Sequence, residues 1–206
     1  MNTDGRIRNA LFLMKLQHIL GGSDPSADRV MRAVDAIIAQ ARREEKAGAR
    51  RDRVLNLFES RVETIMDGIT HLQKTGEKEA YREACAKLYT FAEETMRDSY
   101  MSMYLYILYK YANAVLEAGQ PQEAMPLFDK LCQGTDRLIG SSNPYYVHCL
   151  ERYAVSSMRA GCPQETKRAT DKMYRIASED FGVCSAMMMA VRRFTARLRA
   201  EAETVS

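Results

Sequence analysis

Apolar residues along this chain recur every three to four positions, in stretches cut by glycine or proline at intervals of about twenty residues. Val30, Val34, Ile37, Ile38 and Ala41 make one such stripe, and Val54, Leu55, Phe58, Val62, Ile65, Ile69 and Leu72 make a longer one. That spacing puts side chains on one face of a helix. Period-two alternation bounded by hairpin turns, the signature of strands, is absent. The pattern predicts a first helix from about Arg6 to Leu20, stopped by Gly21-Gly22, and a second that ends in the charged stretch RREEKAGARRDR. A third runs to a stop near Gly76. Further helices are expected at about 77–97, 99–118, 121–139, 144–160, 163–179 and 183–202.

The ends of these segments carry their own signals. Ser23-Asp24-Pro25 reads as an N-cap followed by proline in the first turn, and Asn143-Pro144 repeats that grammar. Gly119 is placed to end one helix in the left-handed conformation, and Pro121 to open the next, where its missing N–H costs nothing. Pro126 conflicts with this scheme, because a helix would need its N–H for Gln122. Either that helix starts late or it kinks in its second turn.

The segment AGQPQEAMPLFDKL at 118–131 returns forty-two residues later as AGCPQETKRATDKM at 160–173. Tyr111-Ala112 and Tyr153-Ala154 keep the same register, and the glycines at 76, 119 and 161 are 43 and 42 residues apart. A tandem helix–turn–helix unit cannot bury its apolar face alone, but stacking against its neighbours buries it.

The block YANAVLEAGQPQEAMPLF resembles a tetratricopeptide repeat. Leu108, Tyr111, Ala112, Gly119, Ala124 and Phe128 fill that family's patterned places. In the next unit Leu150, Tyr153, Ala154 and Gly161 match, whereas Thr166 and Thr170 depart from its small and aromatic positions. An earlier unit, from about residue 62 to 97, offers Ile65, Gly76 and a shifted Ala80/Ala84 pair. The long period is similar to that of the kinesin-light-chain-like branch. The resemblance implies an all-α chain, built as a right-handed superhelix of antiparallel helical hairpins over residues 61–206, with a closing C-terminal helix. Residues 1–60 are then an N-terminal helical extension.

Composition narrows the classes of function. With 46% apolar residues the chain can build an ordinary core, and a formal net charge of +3 is far from that of a dedicated nucleic-acid binder. The N-terminal apolar run ALFLM is broken at once by Lys15, Gln17 and His18, so it does not read as a signal peptide, and the expected setting is cytoplasmic. The five cysteines, Cys85, Cys132, Cys149, Cys162 and Cys184, form no CxxC pair and read as small core residues. The histidines, His18, His71 and His148, are scattered; no HExxH, GxSxG, phosphate-binding loop or dinucleotide fingerprint occurs. No catalytic residue, metal site or cofactor is therefore expected.

What remains is recognition. Tyr100, Tyr104, Tyr106, Tyr109 and Tyr111 crowd one helix. Tyr104, Leu108, Tyr111, Ala112 and Val115 share a packing face, while Tyr106, Tyr109, Asn113 and Leu116 share another. The resemblance places this second stripe on a concave surface, with His148 and Glu151 at the equivalent places of the next unit and Arg152 and Arg159 beside them. Aromatic anchors, an amide and basic groups suit a protein or peptide partner. A scaffold, adaptor, chaperone or peptide sensor is the class expected. The competing reading fills the same stripe with the N-terminal helices. Met187-Met188-Met189 offers a surface for self-association, and the arginines of 42–53 and 192–199 offer the alternative of a nucleic-acid-associated regulator.

Overall fold

The computed structural model describes residues 3–21 and 25–205, with side chains over 9–21 and 25–203. The described residues form nine α-helices and no strand. They are α1 (Thr3–Leu20), α2 (Ala27–Lys46), α3 (Arg51–Thr75), α4 (Lys78–Thr95), α5 (Met101–Glu117), α6 (Pro121–Ile139), α7 (Pro144–Arg159), α8 (Pro163–Glu179) and α9 (Ala186–Val205). The chain is all-α. It gathers into two compact units, Met1–Ala114 and Val115–Ser206, and the division falls inside α5. The expected boundary at 60/61 lies within α3, which runs through it unbroken.

Helix ends follow the predicted grammar with one correction. Ser23 and Asp24 lie outside the described residues, and α2 begins at Ala27 with Ser26 at its N-cap. Pro25 therefore precedes the helix and does not open it. Asn143 caps α7 as expected, its side-chain oxygen accepting a 2.9 Å hydrogen bond from the Tyr145 amide. Pro126 does not delay α6, which is helical from Pro121 onward. The proline leaves the Gln122 carbonyl without its amide, and Gln122 is exposed in the first turn, where water can satisfy it.

One turn recurs along the chain. At the end of α5 the Gly119 amide donates to the Leu116 carbonyl at 3.1 Å and the Gln120 amide to the Val115 carbonyl at 3.2 Å. At the end of α7 the same pair recurs, Gly161 to Met158 at 3.0 Å and Cys162 to Ser157 at 2.9 Å. Both glycines are left-handed, with φ of 79° and 74°. This is the double hydrogen bond that closes a helix on a glycine. The ends of α2 and α3 repeat it at Gly48-Ala49 and Gly76-Glu77.

In unit 1 every one of the seven predicted apolar positions of α3, Val54 to Leu72, is fully buried. Phe58 meets Phe91 of α4 with ring centroids 4.5 Å apart. The α2 helix lies parallel to α4. Lys87 donates to Asp35 at 2.9 Å and Arg42 to Glu94 at 3.4 Å, and both partners are 52 residues apart. In unit 2, α6 packs on α7, α7 on α8, and α9 on both α8 and α7. Tyr153 donates to Glu165 at 2.8 Å while Lys172 donates to the Tyr146 hydroxyl. Moving forward along α7 thus moves backward along α8, so the two are antiparallel. Ala124, Phe128, Leu131 and Cys132 of α6 fill the core between α6 and its neighbours with no more than 5% exposure.

Candidate functional site

Tyr106, Tyr109 and Asn113 of the predicted stripe belong to unit 1. Tyr106 keeps about a third of its surface, 37%, exposed, and the Lys110 ammonium lies 5.9 Å from its ring centroid. Burial first, then the nearby Cys85, Asp67 and Glu63, raise its pKa, so its hydroxyl stays a proton donor. The residues α3 and α4 contribute beside Tyr106 show that these helices approach this stripe. Tyr109 is half-buried. Asn113 and Leu116 depart from the expectation of an open surface: both are buried, and the Asn113 amide nitrogen donates to the Tyr109 carbonyl at 2.7 Å. The carboxamide is committed inside its own helix. The packing face behaves as expected, with Tyr104, Leu108, Ala112 and Val115 buried and Tyr111 stacked on Tyr89 at 5.0 Å.

The α7 residues belong to unit 2 and form one line. His148, Glu151, Arg152, Val155 and Met158 are each half-exposed, and Arg159 is exposed at the end of the helix. Their spacing of three and four keeps them on one face, while Val147, Leu150 and Ala154 are buried on the other. His148 Nδ1 lies 3.2 Å from Glu151 Oε2, and the Tyr145 ring centroid is 6.4 Å from the histidine ring. The Arg152 guanidinium carbon sits 5.9 Å from the Phe128 ring centroid, and its buried Nε has no hydrogen-bond partner among the described residues. Arg159 already holds a carboxylate: Nε and Nη2 both donate to Glu201 Oε1 of α9, at 3.1 and 2.8 Å.

The arginine runs have different fates. Arg42 pairs with Glu94, Arg50 with Asp52 at 2.9 Å, and Arg51 donates to the Thr95 carbonyl at 2.7 Å. Arg42 and Arg51 of the 42–53 run are therefore tied to α4, and Arg50 to a residue of the run itself. Arg192, Arg193, Arg197 and Arg199 are all exposed on α9. Of the three methionines at its start, Met188 is buried and Met189 is 55% exposed.

Two features escaped the sequence reading. The first is Arg61, which is fully buried in unit 1. Its Nη1 and Nη2 donate to the two oxygens of Glu44 at 3.1 and 2.8 Å, its Nε donates to Asn9 Oδ1 at 3.2 Å, and it lies 4.7 Å from the Phe12 ring centroid. Burial pushes the Glu44 pKa up, but hydrogen bonds from Arg61 and Gln40 and the charges of Arg61 and Arg53 outweigh it and leave the carboxyl below its ordinary value. A cavity of about 660 Å³ opens beside this pair, rimmed by Lys15, Arg43 and Arg53. The second is a groove of about 660 Å³ among α7, α8 and α9, with Thr166 and Thr170 in its wall. Its signal was present in the sequence as the two departures from the repeat pattern.

Burial raises the pKa of the Cys132 thiol, and brings that of Cys149 to about 11, so both stay protonated at neutral pH and serve as packing. Among the described residues no three His, Cys, Asp or Glu side chains gather to hold a metal ion, and no helix is long and apolar enough to cross a membrane. The chain matches no protein-family model and no curated protein sequence.

Proposed function

We propose that the chain is a protein- or peptide-interaction module built from tetratricopeptide-like hairpins that stack as a right-handed solenoid. The stacking is supported by the repeated glycine-ended turns and by ties between helices two apart, α2 to α4 and α7 to α9. The observation that carries the functional reading is the α7 line from His148 to Arg159. It stays accessible along its whole length, although the opposite face of the helix is buried. A surface that presents an imidazole, a carboxylate, two guanidiniums and apolar Val155 and Met158 at helical spacing can seat an extended or helical peptide. The role is that of a scaffold, adaptor, chaperone or peptide sensor.

The test is selection of binders from a displayed random-peptide library against the full chain. Peptides selected on wild type should lose about 1–2 kcal/mol on His148→Ala or Arg159→Ala, with helicity unchanged. Tyr109→Ala reports separately on the α5 stripe. Selected peptides indifferent to all three variants would sink the reading.

A second reading rests on the four exposed arginines of α9. If they bind nucleic acid, affinity for DNA or RNA must fall steeply as salt rises. Weak, salt-flat binding eliminates this alternative.

A further inference from the structure

Phe128 and Thr170 stand at the same place of successive repeats, forty-two residues apart, as do Ala124 and Thr166. In α6 that pair is fully buried and fills the core. In α8 the equivalents of Leu131 and Thr135, Met173 and Ala177, stay buried together with Ala169 and Ile176, but the two threonines are left half-exposed beside a groove of about 660 Å³. The groove lies where the preceding repeat carries an aromatic side chain. Its size falls within the usual range of small-molecule pockets, about 300–1,000 Å³.

The chemistry of the wall is unusually restricted. Thr166 donates to the Cys162 carbonyl at 3.1 Å, Thr170 to Lys167 at 2.9 Å and Thr195 to Val191 at 3.0 Å. With the Thr195 proton so placed, the Tyr174 hydroxyl donates to Thr195 Oγ1 at 2.7 Å. Each hydroxyl proton of the wall is thus committed within the protein. The apolar part of the lining comes from Met158, Tyr174, Leu198 and Ala202 beside the threonines. A peptide backbone needs donors for its carbonyls, and these hydroxyls supply none. The charged groups lie around the groove. Arg159 is paired with Glu201 at 2.8 Å and Lys167 with Asp171 at 2.7 Å, whereas Arg199 has no ion pair among the described residues and can meet a carboxylate without displacing another.

We propose that the α7–α8–α9 groove binds a small amphipathic carboxylate, its apolar body against Thr170, Tyr174 and Leu198 and its anionic head on Arg199. The excess of one cation over an otherwise apolar, donor-poor wall matches a monoanion with a hydrocarbon or aryl tail. This site does not rest on the peptide-binding reading: Thr170 and Arg199 lie outside the α7 line, so either proposal can fail alone.

The experiment is isothermal titration calorimetry of the full chain with decanoate below its micelle limit, and with decanol as the uncharged counterpart. One decanoate should bind per chain. Arg199→Ala should weaken decanoate about tenfold and leave decanol unchanged, as loss of a charge-assisted hydrogen bond does. Thr170→Phe, which restores the aromatic side chain of the preceding repeat, should weaken both by about tenfold or more and should not lower the melting temperature. Should Thr170→Phe misfold, Ala202→Leu narrows the same groove from α9 and must weaken both ligands. The proposal is overturned if decanoate does not saturate, if Arg199→Ala affects the two ligands equally, or if neither groove-filling variant weakens binding.

Discussion

Each unit of this chain contains an arginine that grips a glutamate from another helix, and the two grips have opposite surroundings. In unit 1 the Arg61 side chain is 2% exposed and Glu44 20%; in unit 2 Arg159 is 47% exposed and Glu201 41%. The hydrogen-bond lengths are alike, 2.8 Å for the shortest contact of each. Distance therefore says little about what the pairs do. In unit 1 Arg61 is enclosed and Glu44 only partly exposed, so removal of either partner leaves a poorly solvated charge, and the pair ties α1, α2 and α3 together. In unit 2 water stands ready to replace either partner, so Arg159 can exchange its intramolecular carboxylate for another at small cost. Unit 1 encloses its ion pair, and unit 2 leaves its pair in contact with solvent.

The sharpest way to break this contrast is Arg61→Ala. It should destabilise the chain by about 3–5 kcal/mol in urea unfolding, because Glu44 is left without its partner. A loss below about 1 kcal/mol would place the pair in the same class as Arg159. The pair also has a pH signature. The Glu44 pKa is lowered in the folded state, so its contribution is present above the ordinary glutamate range and is lost as pH falls through the folded value. Stability should therefore decline in acid, and Arg61→Ala should flatten that decline. An unchanged acid slope in the variant would mean that other carboxylates set it.

The turns come next in size. Gly119→Val and Gly161→Val should each cost about 1–2 kcal/mol, measured by thermal melting. A Cβ at either position meets nothing within 4 Å, so the cost is that of the left-handed backbone alone. Similar losses at the two sites would support equivalent turns, and wild-type melting of either variant would contradict it. The smallest effect belongs to Arg159→Ala, at most about 1 kcal/mol in stability. A larger loss would show that the α7–α9 tie holds unit 2 together and is not a surface feature.

The apolar stripe of α3 was legible because seven apolar residues at helical spacing admit one buried face. Arg61 lies within that stripe, between Phe58 and Val62, and nothing local marks it as buried. A charged residue defaults to the surface, and its burial depends on Glu44 and Asn9, which are distant in sequence. The glycine turns were legible because the left-handed conformation nearly requires glycine. The start of α2 was misplaced, since Ser23, Asp24 and Ser26 are all good capping residues and tertiary packing chooses among them. Asn113 shared helical spacing with Tyr106 and Tyr109, but spacing gives a stripe without giving its depth, and the amide is buried. The α7 line was readable as a stripe for the same reason. Its accessibility depends on what the rest of the chain covers, which periodicity does not contain. The groove at Thr170 was readable only as a broken repeat, and its shape required α9.

Photo-crosslinking with a benzophenone amino acid at Val155, set against the same probe at Arg168 on the exposed face of α8, tests the central claim most directly. With the selected peptides as ligand, Val155 should crosslink strongly, Arg168 should not, and unlabelled peptide should compete the product away. Equal labelling at both positions, or labelling at Arg168 alone, would contradict the assignment of the α7 face as the binding surface.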